Sequence, residues 1–90
     1  MRSKEFEVLG RKITYYRKLK HLSQDQLAKQ VGISTSYLSK IERADVGSIS
    51  LATLMRIAAG LELQVHMLLK PEEHEILFDK KKLGSIIEEK

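Results

Sequence analysis

The chain has 90 residues, of which 42% are hydrophobic, and this length supports one small packed domain but not a second catalytic lobe. It contains no cysteine, which excludes disulfides and thiolate zinc sites. No apolar run is long enough for a membrane span, so we expect a cytoplasmic protein. The net charge of +4 is uneven: residues 1–43 carry ten Lys/Arg against four Asp/Glu, which indicates a surface that faces a polyanion.

The first predicted helix spans residues 8–20. Its apolar residues recur at three- and four-residue spacings, while basic residues such as Lys12 occupy the other positions. This pattern predicts an amphipathic helix with one face in the core. The recurring apolar residues are Leu9, Ile13, Tyr16 and Leu19.

The second predicted helix is short. Ser23 and Gln26 have the spacing of a capping box, in which each side chain meets the backbone amide of the other, so this helix should begin at Gln24. Gly32 can adopt the left-handed conformation that closes a helix. The second helix should therefore end just before it.

Two further helices are predicted on either side of a loop. Ser34 is placed to cap a third helix that runs to about Arg43. Residues 44–50 contain aspartate, glycine and serine and are typical of a loop. Apolar residues with helical spacing then predict a fourth helix that ends near Gly60.

The segment 61–69 is ambiguous. Apolar and polar residues alternate along it, with only Leu68 out of step, and the preferred prediction is a short β-strand. The alternative is a fifth helix with Leu68 and Leu69 in the core. We expect a domain of residues 1–70 followed by a C-terminal tail, residues 71–90, that serves dimerisation or partner binding.

The residues from Leu22 to Arg43 suit two short helices that cross at a steep angle. Such a pair needs apolar contacts, one small residue where the helices approach, and a turn residue that accepts positive φ. Ala28 supplies the small residue and Gly32 the turn. The apolar contacts come from Leu27, Val31, Ile33, Leu38 and Ile41.

This pattern resembles the Xre/Cro-type helix-turn-helix regulators, the family that includes the lambda-type phage repressors. The resemblance covers about residues 9–61. It implies an all-α, compact, four- to five-helix lambda-repressor-like DNA-binding domain, with or without a short C-terminal strand. The matching positions are Leu22-Ser23-Gln24, Leu27-Ala28, Val31-Gly32-Ile33, Tyr37-Leu38-Ser39, Ile41-Glu42-Arg43, and Leu51 with Leu54.

The resemblance also implies roles for individual residues. In the family, an arginine of the first helix forms a buried pair with a glutamate near the end of the recognition helix, and Arg17 and Glu42 occupy these positions. Gln24 matches a position that contacts phosphate and supports the recognition helix. Ala44 departs from the family, since many members have glycine, or asparagine and glycine, after the recognition helix.

The third helix carries the candidate base-reading residues. An α-helix fits the major groove of about 12 Å, and its exposed N-terminal residues reach base edges. Its exposed positions are Thr35, Ser36, Ser39 and Lys40, of which Lys40 is suited to guanine. The alternative is that these residues have no role in DNA binding, so that the hydroxyls only cap the helix and the lysine is only solvated. Further candidate DNA contacts, chiefly to phosphate, are Gln24, Ser34, Tyr37, Arg43, Gly47 and Ser48.

Catalytic and metal motifs are not evident. His21, His66 and His74 are too widely spaced for a local metal pair. No serine lies in a Gly-x-Ser-x-Gly elbow, and no glycine loop has the Gly-Lys-Ser/Thr of a P-loop. We therefore expect neither an enzyme nor a cofactor.

The expected partners are double-stranded DNA and a second copy of the chain. A single module buries only roughly 600–1,000 Å², whereas two copies read a palindrome with half-sites about 34 Å apart. A strand at 61–69 would have no strand of its own chain to pair with. Its side chains Leu63, Val65, Met67 and Leu69 are therefore predicted at the dimer interface.

Two functions follow from these expectations. The first is a sequence-specific transcriptional regulator, most simply a repressor, which reads a palindromic operator as a homodimer. The second rests on residues 60–65, which resemble a segment that forms an intersubunit ribbon in HipB-like antitoxins. In that alternative the chain binds a toxin protein and represses its own operon.

Overall fold

Five helices make up the described part of the chain. The computed structural model describes residues 3–69, so the predicted tail at 71–90 lies outside the described residues. Within residues 3–69 the structure contains no strand, and the predicted all-α class is confirmed. The helices are α1 (Lys4–Leu19), α2 (Gln24–Val31), α3 (Thr35–Glu42), α4 (Leu51–Gly60) and α5 (Val65–Leu69).

Serine caps the first four helices. Each of these serines has extended backbone angles, and its hydroxyl accepts a hydrogen bond from the amide three residues later. The capping box predicted at Ser23 and Gln26 is present, since the Gln26 side chain also accepts from the Ser23 amide at 2.8 Å. The capping residues are Ser3, Ser23, Ser34 and Ser50.

The same four helices end in a residue with left-handed backbone angles. The next residue then donates its amide to a carbonyl five positions back, as in a Schellman turn; Ile33 to Ala28 is one example, at 3.0 Å. Gly32, with φ of 79°, adopts this conformation without cost. The other three are His21, Ala44 and Glu62, with φ of 59°, 61° and 61°.

Replacing His21 with glycine should stabilise the domain. The left-handed conformation costs an L-residue about 1–2 kcal/mol, and the entropy of a flexible glycine offsets about 0.5–1 kcal/mol of that gain. Since the His21 side chain is exposed, we expect a net gain of about 0.5–1 kcal/mol in the free energy of unfolding, measured by urea denaturation. His21→Ala keeps the unfavourable φ and should give no gain. Equal stability of both variants would contradict this expectation.

The helices pack around one apolar core. α1 packs on α3 and α5, α2 packs on α3 and α4, and α4 packs on α5. This arrangement fixes α3 from two sides and leaves part of its surface open. The fully buried side chains are Ile13, Leu27, Leu38, Ile41, Ile57 and Leu68.

The preferred prediction of a strand at 61–69 is wrong, and the alternative fifth helix is present. Glu62 takes the left-handed conformation, which turns the chain after α4 and interrupts any extended run. Leu68, the residue that broke the alternating pattern, is completely buried in α5. Leu63 and Val65 are partly buried against the core of their own chain, and Leu69 is 57% exposed. The strand that suggested this dimer interface therefore does not exist.

The first helix differs from its prediction in two ways. It begins at Lys4, four residues before the predicted start, because Ser3 provides a cap there. Lys12, expected on the polar face, is only 4% exposed. Its Nζ donates to the Met67 carbonyl at 3.3 Å, one of the carbonyls that the short helix α5 leaves unpaired. The charge at Lys12 therefore ties α1 to α5.

Candidate nucleic-acid interface

Helices α2 and α3 form a compact helix–turn–helix unit. Ala28 is 1% exposed, as expected of a small residue between packed helices. Gly32 makes the turn in the left-handed conformation, and Ser34 then caps α3. The structure thus places the predicted small residue and the predicted turn residue where the sequence pattern required them.

Three helices meet at the carboxylate of Glu42, near the end of α3. Arg17 of α1 donates from Nε to Glu42 Oε2 at 2.7 Å and from Nη2 to Oε1 at 3.1 Å. Gln24 of α2 donates to the same Oε1 at 3.0 Å, and Arg17 also donates from Nη1 to the Leu22 carbonyl at 2.7 Å. The side chains of Arg17 and Glu42 are 9% and 5% exposed. This network fixes α3 relative to both neighbouring helices.

The network also lowers the pKa of Glu42. Burial alone would raise this pKa, but hydrogen bonds from Arg17, Gln24 and Thr14 outweigh the burial and hold the pKa below its ordinary value of 4.5. The folded protein therefore binds this proton less readily than the unfolded chain does. The ionised Glu42 stabilises the fold fully above about pH 4.5, and this contribution is lost as the pH falls through the folded-state pKa.

Acid should consequently destabilise the wild type more than the Glu42→Gln variant. We expect the difference in melting temperature between the two proteins to be largest near neutral pH and to shrink as the pH falls below about 4.5. Glu62→Gln is a suitable control, because a hydrogen bond from Lys20 lowers the pKa of Glu62 at an exposed site. Added salt should weaken the Glu62 effect more than that of Glu42. A constant difference between wild type and Glu42→Gln across this pH range would contradict the assignment.

One face of α3 is open and polar. Ser36 and Lys40 are exposed, whereas Thr35, Tyr37 and Ser39 are half-buried. The ring of Tyr37 packs against the core, and the hydroxyl of Ser34 accepts from the Tyr37 amide at 3.0 Å. One surface of α3 thus presents hydroxyl groups and an ammonium group, on a helix whose other side is fixed in the core.

Two of these hydroxyls have partners within the chain. Thr35 Oγ1 lies 2.5 Å from Asp25 Oδ1, which joins the start of α3 to the start of α2. Arg43 donates from Nη1 to Ser39 Oγ at 2.5 Å, and its Nη2 lies 3.8 Å from Asp45. These neighbours therefore determine whether the hydroxyls of Thr35 and Ser39 can still donate a hydrogen bond to an external ligand or accept one from it.

The remaining predicted contacts lie at the edges of this surface. Gly47 and Ser48 are exposed in the loop between α3 and α4. Gln24 is half-buried and donates to Glu42. Asp25 was not predicted, because its neighbour Thr35 is ten residues away and no local pattern indicates the contact.

A family model for helix-turn-helix proteins, HTH_3, matches residues 13–67, more than half of the chain. The chain belongs to this family. The resemblance to Xre/Cro-type regulators is thereby confirmed. The matched range contains α2, α3 and α4 in full, and it also includes Arg17 and Glu42.

Relatives of known role support the same family assignment. The HTH-type transcriptional regulator SinR of Bacillus subtilis is 40% identical over 72 residues, which are 80% of this chain and 64% of SinR. The immunity repressor of Bacillus phage phi105 is 41% identical over 64 residues, 71% of this chain and 44% of the repressor. The chain therefore spans less than two thirds of the length of these relatives.

A solved structure gives the corresponding comparison of shape. The crystal structure of SinR, the master regulator for biofilm formation, in complex with DNA has a TM-score of 0.66 and 40% sequence identity, and the match covers 69% of this chain and 98% of that chain. The five-helix arrangement thus matches an HTH_3-type domain. Among residues 3–69 no cluster of His, Asp and Glu could hold a metal ion, and no helix is long and apolar enough to span a membrane.

Proposed function

We propose that this HTH_3 protein is a sequence-specific DNA-binding transcriptional regulator, most simply a repressor, which inserts α3 into the major groove of a palindromic operator as a homodimer. The observation that carries the proposal is the open polar surface of α3, fixed from behind by the network around Glu42. A rigid helix with exposed polar groups along one face suits direct contact with base edges.

The proposed contacts divide into two groups. Thr35, Ser36, Ser39 and Lys40 face base edges, because they lie along the open surface of α3. The other contacts go to phosphate and position the domain on the duplex, and they involve hydroxyls, a guanidinium and loop amides. These phosphate contacts are assigned to Gln24, Ser34, Tyr37, Arg43, Gly47 and Ser48.

The comparisons favour a regulator over an antitoxin. The named relatives are a transcriptional regulator and a phage repressor, and SinR has been crystallised with DNA. The antitoxin alternative relied on an intersubunit ribbon at residues 60–65, but that segment holds the end of α4, the left-handed turn at Glu62 and the start of α5, and it contains no strand. This leaves repression through DNA binding as the function that the described residues support best.

The homodimer is proposed from the size of the module. One α3 surface reads only a few base pairs, and most of its affinity comes from salt-sensitive phosphate contacts. Two copies related by a two-fold axis double the sequence that is read. We place the dimer contact in residues 61–90, where Leu69 retains an exposed side chain. Sedimentation of the full chain should give twice the mass of one 10.3 kDa chain, and a monomeric mass would refute the dimer.

Selection from a random pool of DNA duplexes at two salt concentrations tests the proposal. A sequence-specific dimer should enrich a palindrome whose half-sites are separated by about one helical turn, roughly 34 Å. Binding that is steeply salt-dependent but enriches no sequence would reject sequence-specific regulation.

The Lys40→Ala and Gln24→Ala variants should separate base contacts from positioning contacts. If Lys40 reads guanine, its loss should cost about 1–3 kcal/mol on the selected operator and relax the preference at one position. Gln24→Ala should weaken binding to all sequences alike. Lys29→Ala, which removes an exposed charge from α2, controls for net charge. Fluorescence anisotropy with operator and scrambled duplexes measures both effects, and an unchanged preference in Lys40→Ala would remove Lys40 from the readers.

A further inference from the structure

An acidic side chain controls the first base-facing hydroxyl of α3. Thr35 is the first residue of α3, and its Oγ1 lies 2.5 Å from Oδ1 of Asp25, the second residue of α2. Asp25 is exposed and Thr35 is half-buried, so the pair lies on the open side of the helix–turn–helix unit. Repulsion between this carboxylate and DNA phosphate weakens DNA binding. A gain in sequence preference would offset this loss of affinity.

The direction of this hydrogen bond is fixed by chemistry. A carboxylate only accepts hydrogen bonds, whereas a threonine hydroxyl has a single hydrogen and two lone pairs. The hydrogen in the contact must therefore belong to Thr35 and point to Asp25. What Thr35 Oγ1 has left to offer a ligand is acceptor capacity alone.

An acceptor distinguishes two classes of base in the major groove. Adenine presents the N6 amino group and cytosine the N4 amino group as donors, while guanine O6 and thymine O4 are acceptors. An oxygen that can only accept pairs with the amino groups and is repelled by the keto oxygens. A free threonine hydroxyl would rotate, and it would accept a hydrogen bond from an amino group or donate one to a keto oxygen.

We propose that Asp25 is a specificity-determining residue: by holding the Thr35 hydrogen, it makes Thr35 a reader of adenine or cytosine and a discriminator against guanine and thymine. This inference rests on the proposed function, because it assumes that α3 lies in the major groove. Asp25 acts through Thr35 and is itself a positioning residue.

Ser39 provides an internal contrast. It lies one turn along α3 from Thr35, and its Oγ accepts a hydrogen bond from Arg43 at 2.5 Å. That bond does not use the serine hydrogen, so Ser39 keeps a donor where Thr35 has none. The loss of Asp25 should therefore change the preference at the base that Thr35 faces and leave the base at Ser39 unchanged.

The test is parallel selection from one random duplex pool with five proteins. These are the wild type, Asp25→Asn, Asp25→Ala, Thr35→Val and a control, Glu62→Gln, which removes an equal exposed charge from the turn between α4 and α5. In the wild type we expect one position of each half-site to prefer adenine or cytosine over guanine or thymine. The preference should fall about three- to tenfold in Asp25→Ala and Thr35→Val, as expected for one hydrogen bond, and less in Asp25→Asn, whose amide oxygen can still accept from Thr35.

Each variant excludes a different explanation. Thr35→Val retains the shape and Asp25 but lacks the hydroxyl, so a preference that survives in Thr35→Val would mean that Asp25 contacts the base directly and would overturn the inference. A preference unchanged in both Asp25 variants, with only a uniform rise in affinity as in Glu62→Gln, would mean that Asp25 acts by charge alone and would also overturn it.

The failure of this inference is distinguishable from that of the proposed function. An enriched palindrome with no amino-base preference in the wild type would overturn the role of Asp25 and leave sequence-specific binding intact. No enriched sequence at all in the wild type would refute the proposed function, and with it the inference.

Discussion

Replacing Arg17 with alanine should lower the free energy of unfolding by about 3–5 kcal/mol, because it leaves the carboxylate of Glu42 buried without its main partner. Both side chains of this pair are less than 10% exposed, and their bidentate contact at 2.7 and 3.1 Å joins α1 to α3. Gln24 alone cannot neutralise the charge. Thermal unfolding followed by circular dichroism should show a decrease in melting temperature of more than about 10 °C.

Two controls make the Arg17 prediction specific. Lys20→Ala removes the ammonium partner of Glu62, but that pair is exposed to solvent and its loss should change the melting temperature little. A double variant, Arg17→Met with Glu42→Leu, removes both charges together and should recover much of the stability that Arg17→Ala loses. If Arg17→Ala melted like Lys20→Ala, the pair would contribute no more than a surface ion pair.

Gly10→Ala should destabilise the domain by an amount near the upper end of the usual overpacking cost, about 3 kcal/mol. Gly10 lies where α1 crosses the end of α3, and an added Cβ would approach the carbonyl oxygens of Glu42 and Ile41 to 2.5 and 2.8 Å. Both atoms belong to the backbone, so no side chain can rotate to make room. The two helices must separate, which would displace Glu42 from Arg17 and also weaken the proposed binding to DNA.

Gly47→Ala is the matched control for Gly10→Ala. A Cβ at Gly47 has no atom within 4 Å, and we expect a change in unfolding free energy below about 0.5 kcal/mol. Urea denaturation of both variants measures the difference. Equal midpoints would show that α1 and α3 can move apart at no cost.

Most of the fold could be predicted from the sequence because its signals are local. Serine caps and the glycine turn indicated the boundaries of α2 and the start of α3 within a few residues. The segment 61–69 misled because its residues alternate between apolar and polar, although the left-handed turn at Glu62 separates the end of α4 from α5 within it. Leu68, not the alternation, carried the correct signal, since it is the side chain that the core requires.

The contacts of the site also fall into two groups, those that were expected before the structure and those that were not. The pairing of Arg17 with Glu42 was expected only because the resemblance supplied it, since the two residues are far apart in the sequence. Lys12 was expected on the polar face because periodicity cannot show that a lysine meets the end of a later helix. Asp25 and Gly10 were missed because their importance depends on contacts across helices, which no spacing reveals.

The three left-handed turns built from ordinary residues also bear on how such a regulator changes its target sequence. His21, Ala44 and Glu62 each hold a backbone conformation that glycine would hold at less cost, so the domain lies below the stability its fold allows. Substitutions on α3 that alter the choice of the proposed operator at the expense of stability can therefore be compensated at a turn such as His21, outside the proposed base-reading surface. Substitutions that change the proposed operator and substitutions that restore stability are then located in different parts of the chain.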